Sequence, residues 1–394
     1  MPFQPAPWKR CIAPAPRVAV LRTRPETVVE DYRRLLHLAR VEEALDASAQ
    51  TILKDNITWH QLHPAVNTTP WQLEGTILGL RDHGFTDLVD VHNHTVVTDP
   101  FKGEVALGFK PVYDKYGIPV KFNFRESDMR WTEFAPQAEM LVLPRIFPHG
   151  IRIPDFFLGR NIVHLPTVKT HTYTTYTGAL KNAFGGLLSA MRHYTHTWIH
   201  ETLVDLLSIG QEMHSGMFAT MDGTSAGEGP GPRTVIAHDK NIILASADQV
   251  AIDAVAATLM GFDPMSLPCI RLSHDRGLGM GDLTRIEVVG DRDVLNERWN
   301  FKVGANFATG VGTLLWHTWP FNRMQKALFH TPLVKVFENA SAIYHDQWKY
   351  PRDCRKIVDA WLQDSPWGQL FTREYASAST IPDRPDAPPW KHRK

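Results

Sequence analysis

The chain of 394 residues carries 42 basic and 42 acidic side chains, so no excess charge points to a nucleic acid or an anionic membrane as partner. Apolar residues at 43% and charged residues at 21% are typical of a soluble globular protein with a sizeable core. No apolar run approaches the roughly 18 residues of a membrane span, and residues 1–11 lack the apolar region of a signal peptide. We therefore expect a cytoplasmic protein.

The three cysteines, Cys11, Cys269 and Cys354, are far apart in the sequence. Because no CxxC pair is present, the sequence disfavours a cysteine-ligated iron–sulfur cluster, a zinc site of cysteines and a disulfide framework. A redox reaction would therefore need an external electron donor, and the identity of any cofactor stays open.

Short apolar segments bounded by glycine, proline and polar residues predict strands along most of the chain. They are residues 17–22, 51–56, 87–92, 119–123, 139–144, 162–165, 217–221, 241–247 and 286–290. Helical periodicity separates them. It follows Pro25, begins again at Thr69, and covers residues 105–116, 198–214 and 248–261.

Strands that alternate with helices predict right-handed βαβ units. We therefore predict an α/β fold with a largely parallel, doubly wound sheet and helices on both faces, built as one unit or as two lobes. The expected domains are a flexible leader at residues 1–16, the α/β core at 17–299, a helical, tryptophan-rich C-terminal extension at 300–379 and a disordered tail at 380–394.

The densest group of polar residues follows the predicted strand at 162–165. Lys169, His171, Lys181 and Asn182 occur here within fourteen positions, at the carboxyl end of a strand, where α/β proteins usually bind ligands. Ammonium groups and amides suit a carboxylate or phosphate, and His171 suits proton transfer near neutral pH. The alternative is a solvated polar loop.

A second stretch, residues 222–232, has four glycines and two prolines in eleven positions. This composition predicts an irregular loop in which the N–H groups of Gly227, Gly229 and Gly231 converge on an anion. Asp222 and Glu228 would bind a cation, orient a lysine or act as a base. The stretch matches neither a Walker loop nor the GxGxxG spacing, and a tight structural turn is the alternative.

His196 and His200 lie one turn apart if residues 193–200 are helical, which is a workable pair of ligands for a divalent metal. No glutamate completes an HExxH pattern, and a chain with nineteen histidines produces such spacings by chance. Surface histidines are therefore the alternative interpretation.

Asp248 suits the N-cap of the helix predicted after it. Asp253 follows one turn later among apolar residues, and a buried acid needs a partner, for which a nearby lysine is the obvious candidate. We include Asp253 with Asn182 and the three glycines among the candidate cofactor-binding residues.

Five blocks of the sequence resemble the family called domain of unknown function 362. They are residues 165–171, 177–185, 222–232, 244–253 and 259–264, and the resemblance extends over roughly residues 17–291. Residues 53–56 are similar to the family's Lys-Pro-Asn block, with Asp55 in place of the proline.

This resemblance implies the α/β fold and a site at these blocks. Many relatives are fused to ferredoxin-like iron–sulfur segments, which implies redox work for those members, whereas this chain lacks the cysteines. The organisation is also distantly similar to that of the two-domain nickel-pincer lactate racemases, but no catalytic residue can be carried over.

We hypothesise an enzyme, either an oxidoreductase or an isomerase of the racemase type, with a cleft between loops 166–182 and 222–232. Lys169 and Lys181 would bind a small anionic substrate or cofactor, His171 would be the acid or base, and Asp222 or Glu228 the charge partner. The reaction is open between reduction with an external electron donor and metal-assisted proton transfer.

The alternative hypothesis is a non-catalytic protein that binds a metabolite or a metal. Its tryptophan-rich extension would then supply an interface for a partner. A protein electron donor and a second copy of the chain are the partners considered.

Overall fold

The computed structural model describes residues 16–93, 98–319, 328 and 331–376. The predicted tail and, apart from Pro16, the predicted leader lie outside the described residues. The strands of the described part are β1 (Arg17–Arg22), β2 (Thr51–Lys54), β3 (Leu88–His92), β4 (Val120–Phe122), β5 (Trp131–Phe134), β6 (Ile151–Pro154), β7 (Asn161–His164), β8 (Thr167–His171), β9 (Thr175–Thr177), β10 (Met217–Glu228), β11 (Ile236–Ser246) and β12 (Glu287–Gly290).

Ten of these strands form one sheet with the order β12-β1-β11-β10-β7-β2-β3-β4, and β8 and β9 extend it beside β10. Strand β11 pairs antiparallel with β1 and β10, and β8 with β9, whereas the other pairs are parallel. Strands β5 and β6 form a separate antiparallel pair. The predicted largely parallel sheet is therefore confirmed.

The α-helices of the described part are α1 (Val28–Leu38), α2 (Val41–Ala44), α3 (Pro70–Asp82), α4 (Pro100–Ala106), α5 (Phe109–Tyr116), α6 (Leu143–Ile146), α7 (Ala179–Leu187), α8 (Ile199–Met213), α9 (Gln249–Met260), α10 (Pro268–Asp275), α11 (Phe307–His317), α12 (Val334–Ala342), α13 (Arg355–Asp364) and α14 (Pro366–Leu370). None of them is both long and apolar enough to cross a lipid bilayer. Short 3₁₀ helices cover Asp155–Phe157, Ala190–Trp198, Pro264–Ser266, Leu283–Arg285 and Arg292–Asn296, and π-helical turns cover Ile343–Cys354 and Phe371–Tyr375.

The helices cover both faces of the sheet. Helices α1, α3 and α5 pack in one hydrophobic core with the C-terminal residues Trp367 and Phe371, and helices α7 to α10 pack in the core on the other face. Two cores separated by a sheet are the hallmark of a doubly wound fold. The prediction of helices on both faces and of a helical C-terminal region is confirmed.

Three helix ends follow directly from the sequence. The Thr69 side chain accepts a hydrogen bond from the backbone N–H of Gln72, which gives α3 a capping box. The Asp248 carboxylate accepts hydrogen bonds from the first turn of α9. Gly261 ends that helix at a φ of 98°, a conformation that favours glycine.

The prediction of a strand at residues 139–144 is wrong. The N–H groups of Leu141, Val142 and Leu143 donate to the buried carboxylate of Asp205, at 2.7, 2.9 and 2.9 Å. A side chain therefore satisfies backbone donors that a neighbouring strand would otherwise have to pair. The apolar run is a loop that leads into α6.

The prediction of an irregular loop at residues 222–232 is wrong for residues 222–228, whereas residues 229–232 do form turns. Strand β10 continues to Glu228, and its second half pairs with residues 236–239 of β11 after a register shift between Gly223 and Ser225. Glycine within a strand often marks a position that a neighbouring part of the chain approaches closely. The strand has such a neighbour, because a Cβ at Gly227 would touch the side chains of Lys169 and Val235.

The sheet has a topological switch point between β2 and β7. These strands are parallel neighbours, but the chain leaves β2 through α3 for β3 on one side and leaves β7 for β10 on the other. Connections that diverge in this way open a crevice beyond the carboxyl ends of the two strands, where open α/β sheets bind ligands.

Candidate functional site

A cavity of about 440 Å³ lies at the carboxyl end of β2, and this volume is within the roughly 300–1,000 Å³ range of small-molecule sites. It is lined by residues 54–58, residues 171–173, helix α7, the 3₁₀ helix Ala190–Trp198, residues 230–233, helix α11, and helix α12 with the turn that follows it. The wall thus combines the switch point with the C-terminal extension.

The polar part of the wall is strongly cationic. Lys54, Lys181, Arg192 and Arg233 line the cavity, and Asp55 is the single carboxylate among the described lining residues. Asp55 already pairs with Lys54, whose Nζ lies 3.3 Å from Asp55 Oδ1. The other three cations form no ion pair with a residue that the structure describes.

The pKa values of these cations are lowered by burial and, for Lys181 and Arg192, by the charge of a neighbouring cation. Burial and the charge of Arg192 lower the pKa of Lys181 to about 8. Burial and the charge of Arg233 lower the pKa of Arg192 to about 10, and burial lowers that of Arg233 to about 10 although Asp346 acts against it. An anion bound among them would relieve this repulsion.

Helix α7 holds Lys181 and Asn182 against the switch point. The Asn182 amide donates to the backbone oxygen of Lys54 at 2.7 Å and lies 3.3 Å from His164 Nδ1. The first amides of the helix are capped by Asp253, which accepts from Ala179 N at 2.6 Å and from Leu180 N at 3.0 Å. Two elements remote in sequence therefore fix the position of this lysine.

His171 is 5% exposed and lines the cavity. Its Nδ1 accepts hydrogen bonds from the backbone N–H groups of Tyr173 and Thr174, at 3.1 and 3.3 Å. Burial and the charge of Lys181 hold the pKa of His171 well below its ordinary value. The ring is therefore neutral near pH 7 with its proton on Nε2, and it offers a hydrogen-bond donor rather than a titrating acid or base.

Another part of the wall, the aromatic wall, consists of aromatic rings. Its members are the lining residues Tyr173, Phe184, Trp316, Phe337, Tyr344 and His345. The ring of His196 stacks on Trp316 with centroids 4.9 Å apart, and Tyr173 meets the Trp316 ring edge-on at 5.9 Å. Such a surface suits a flat or apolar part of a ligand.

Lys169 does not reach the cavity. Its fully buried ammonium group donates to the backbone oxygen of Val66 and to Thr58 Oγ1. Burial and the nearby charge of Lys181 hold its pKa well below the ordinary value. The structure thus brings His171, Lys181 and Asn182 together at the cavity and leaves Lys169 behind its wall.

The two acids predicted beside the lysines also lie elsewhere. Asp222 is buried and accepts five hydrogen bonds, from Tyr32, Thr69, Trp71 and both the N–H and the hydroxyl of Thr224. It ties β10 to α1 and α3. Glu228 accepts from the backbone N–H of Lys302 and contacts His238, each at 3.0 Å. Neither acid lines the cavity.

The predicted glycine amides are engaged within the protein. Gly229 N donates to Lys302 O and Gly231 N to Gly229 O, while Gly227 pairs within the sheet. The glycines instead allow close packing, because a Cβ at Gly231 would collide with the backbone oxygen of Thr170. Gly231 and its neighbours therefore shape the cavity wall without presenting converging N–H groups.

Asp253 has a different partner from the predicted lysine. Besides the two amides of α7, it accepts a hydrogen bond from the Tyr176 hydroxyl at 2.9 Å. Burial raises its pKa to about 7, although these hydrogen bonds act against the rise. Asp253 does not line the cavity, and its role is to cap the helix that carries Lys181.

His196 and His200 do not share a regular helix. His196 belongs to the 3₁₀ helix Ala190–Trp198, whereas His200 lies in the first turn of α8. The Nδ1 of His196 is 3.0 Å from His193 O, and burial lowers the pKa of His196 to about 3. Among the described residues, the group of three potential metal ligands that lie close together is Asp55, Asp90 and His92.

Sequence reasoning missed Lys54, Arg192, Arg233 and the aromatic wall. A signal existed for Lys54, which ends a buried strand, and for Arg233, which directly follows the Gly-Pro-Gly-Pro turn. Nothing in the local sequence indicated Arg192, because the location of its side chain depends on how the 3₁₀ helix Ala190–Trp198 packs near α7.

Comparison with known proteins places the chain in a family. The model described as Domain of unknown function (DUF362) matches residues 51–258. A curated relative, the Thylakoid-associated protein sll1697 of Synechocystis sp., is 28% identical over 123 residues, which are 30% of this chain and 37% of the relative. The chain therefore matches little more than a third of that relative's length.

Among solved structures, a protein from Thermotoga maritima aligns over 55% of both chains, with 13% identity and a TM-score of 0.32. The family match spans more than half of the chain. It contains Lys54, His171, Lys181, Arg192 and Arg233. The protein is a member of the DUF362 family, a family of unknown function.

Proposed function

We propose that this protein is an enzyme that binds a small anionic molecule, with a flat or apolar remainder, in the cavity at the switch point. The observation that supports the proposal most directly is the set of three cations, Lys181, Arg192 and Arg233, that have no ion pair with a described residue. Holding like charges together in a partly buried cavity costs free energy, and an anionic ligand offsets that cost.

The proposed recognition has two parts. The guanidinium groups of Arg192 and Arg233 would bind the oxygens of a carboxylate or phosphate, and the Nε2–H of His171 would add a neutral donor. The aromatic wall around Trp316 would hold the remainder of the molecule. An acid group joined to an aromatic or apolar body is therefore the proposed ligand class.

Proton transfer is the reaction that we favour. With a pKa of about 8, the amino group of Lys181 is neutral in roughly a tenth of molecules at pH 7 and can accept a proton from the ligand. The ammonium group that results would pair with the anionic product. Reduction by an external electron donor would use the same anion site.

Isothermal titration with sulfate, inorganic phosphate, pyrophosphate and succinate tests the anion site. We expect at least one of them to bind, and Arg192→Met and Arg233→Met each to weaken it about tenfold or more, because a hydrogen bond to a charged group contributes about 1.5–3 kcal/mol. Arg34→Met is the matched control, since Arg34 is exposed on α1.

The site proposal is wrong if the unmodified protein binds none of these anions, or if the two cavity variants bind as the control does. Native mass spectrometry of untagged protein would then identify the natural ligand. In D₂O, proton transfer predicts exchange of a ligand hydrogen for deuterium in the unmodified protein but not in Lys181→Met.

A non-catalytic binding protein is the second candidate. It is favoured by the apolar side chains that the C-terminal region exposes, among them Leu333, Val336 and Ile343, which are each more than half exposed. In this case the ligand would bind without hydrogen exchange and without chemical change, and the exposed residues would bind a partner protein.

A further inference from the structure

A second group of side chains lies beside the cavity, at the carboxyl ends of β2 and β3. Asp55 directly follows β2, and Asp90 and His92 occupy alternate positions of β3, so both project from the same face. All three are buried, with exposures of 1%, 0% and 1%. One potential ligand atom from each lies within 4.8 Å of the others.

The distances suit ligands around one ion. His92 Nδ1 is 3.2 Å from Asp55 Oδ1 and 3.6 Å from Asp90 Oδ1. Ligands bound at about 2.1 Å are separated by roughly 3.0 Å at right angles and roughly 3.4 Å at tetrahedral angles. The group could therefore close on an ion with small side-chain movements.

Carboxylate oxygens in this group lack hydrogen bonds. Neither oxygen of the fully buried Asp90 accepts a hydrogen bond of normal geometry from a described residue, although the Tyr113 hydroxyl is close enough to interact with it, and Asp55 Oδ2 also lacks such a bond. Buried carboxylate oxygens normally accept hydrogen bonds or bind cations. The unpaired oxygens are an observation independent of the clustering, and they point to a cation that is not part of the chain.

The second nitrogen of His92 faces a carboxylate, although the two atoms that approach each other do not form a hydrogen bond of normal geometry. Its Nε2 lies 3.2 Å from Glu104 Oε1 on α4, while the rings of Tyr113 and Phe122 surround the imidazole, with centroids at 6.1 and 5.6 Å. A histidine that donates one N–H to a carboxylate presents the lone pair of its other nitrogen to a metal, and an apolar shell limits water around it.

We propose that Asp55, Asp90 and His92 bind one divalent transition-metal ion, with Glu104 as the positioning residue. One imidazole and two carboxylates suit Zn²⁺ or Mn²⁺, and the two carboxylates balance the charge of such an ion. Because Asp55 also lines the cavity, the ion would lie next to the anion site. The proposal does not depend on the proposed function.

The test uses untagged, full-length protein treated with EDTA. Mn²⁺ is titrated in while the electron paramagnetic resonance signal of free Mn²⁺ is recorded, and Zn²⁺ is then added as a competitor. We expect one ion per chain, a loss of binding in Asp90→Asn, and affinity about 10–100-fold lower in Glu104→Gln, the usual effect of removing such a carboxylate.

Asp263→Asn is the matched control. It makes the same change of charge at an exposed turn, where Asp263 accepts a hydrogen bond from Met265 N, and it should bind the ion as the unmodified protein does. Circular dichroism establishes that each variant is folded. If Asp90→Asn does not fold, Glu104→Gln and the titration of the unmodified protein decide the question.

Three results would overturn the proposal. The unmodified protein could bind neither Mn²⁺ nor Zn²⁺ stoichiometrically, which would mean that the carboxylates share protons instead. Folded Asp90→Asn could bind the ion as tightly as the control. Finally, the ion could be lost in His196→Gln and retained in Asp90→Asn, which would place it at the histidines near Trp316.

Discussion

Lys181 combines two properties that rarely occur together on a lysine. Its ammonium group is held in a mostly buried position next to Arg192, and no described residue pairs with it. Its nearest aromatic contact is a cation–π interaction with Phe184 at 5.5 Å. The residue can therefore respond to a ligand by changing its protonation state.

We predict that the affinity for sulfate, which does not titrate in this range, falls as pH rises through about 8. The charged form of Lys181 attracts the anion, and its pKa of about 8 sets the pH at which that form is lost. Isothermal titration between pH 6.5 and 9 measures the effect. In Lys181→Met the step near pH 8 should be absent, and a step that persists there would assign it to another group.

Asp222 illustrates the opposite case, a charged residue whose hydrogen bonds all serve the fold. We predict that Asp222→Asn lowers the free energy of unfolding by about 1–3 kcal/mol, because the new NH₂ group must face hydrogen-bond donors. Urea denaturation measures the loss. Sulfate affinity should be unchanged. If a folded Asp222→Asn variant lost sulfate affinity, Asp222 would have to be counted among the residues of the binding site.

At the residue scale, the sequence pointed to those cavity-lining residues that lie near the end of a strand. His171, Lys181 and Asn182 were found because β7 is an apolar run with a polar segment after it. Arg192 was missed because no local pattern records which helix passes over another. Asp222 was misassigned because its donors on α1 and α3 are about 150 to 190 positions away in sequence.

Helix α7 is the element on which the site depends most. Its N-terminal amides are held by Asp253 of α9, and Gly178 precedes them at an extended backbone conformation. A Cβ at Gly178 would collide with both carboxylate oxygens of Asp253. Glycine is therefore needed at position 178 because the Asp253 carboxylate comes too close for a side chain, and not because of the backbone angles.

We predict that Gly178→Ala lowers the free energy of unfolding by about 1–3 kcal/mol, the usual cost of overpacking, and weakens sulfate binding because α7 must move. Thermal and urea denaturation, with isothermal titration, measure both effects. Gly310→Ala is the control, since a Cβ there meets open space. Equal stabilities of the two variants would contradict this account of the α7 terminus.

Elements with local signals were predicted well. Helices α3 and α9 carry their own caps in Thr69, Asp248 and Gly261, so the residues that begin and end them are adjacent in sequence. Strand β10 could not be predicted beyond residue 221, because glycine and proline favour turns locally. Backbone hydrogen bonds to β11 and β8, which are distant or not predicted from the local sequence, hold these residues in a strand although their composition disfavours one.

At the scale of the whole molecule, the C-terminal extension is joined to the core through tryptophans. Trp367 is 1% exposed, packs on Trp71 with ring centroids 5.4 Å apart, and donates from Nε1 to Asn241 Oδ1 at 2.8 Å. Tyr375 donates to Glu74 Oε2 at 2.5 Å. The extension is thus an integral part of the hydrophobic core that contains helices α1, α3 and α5.

We predict that Trp367→Ala lowers the free energy of unfolding by about 3–5 kcal/mol, the usual cost of deleting a buried tryptophan. Urea denaturation measures the loss. Trp348→Ala is the matched control, because Trp348 is 54% exposed and its contact with Arg352 contributes about 0.5–1 kcal/mol. Similar losses in the two variants would show that the extension is only loosely attached.

The cavity is lined partly by the family-matched region of the chain and partly by the C-terminal extension, and this affects which ligands other family members would bind. The cations that would hold the acid group lie within residues 51–258, the part that matches the family. Of the aromatic wall, Tyr173 and Phe184 also lie there, whereas Trp316, Phe337, Tyr344 and His345 lie beyond it. A change confined to the last quarter of the chain could therefore replace the organic half of a ligand without disturbing its charged half. We expect family members with different C-terminal segments to accept different compounds that share one acidic head group.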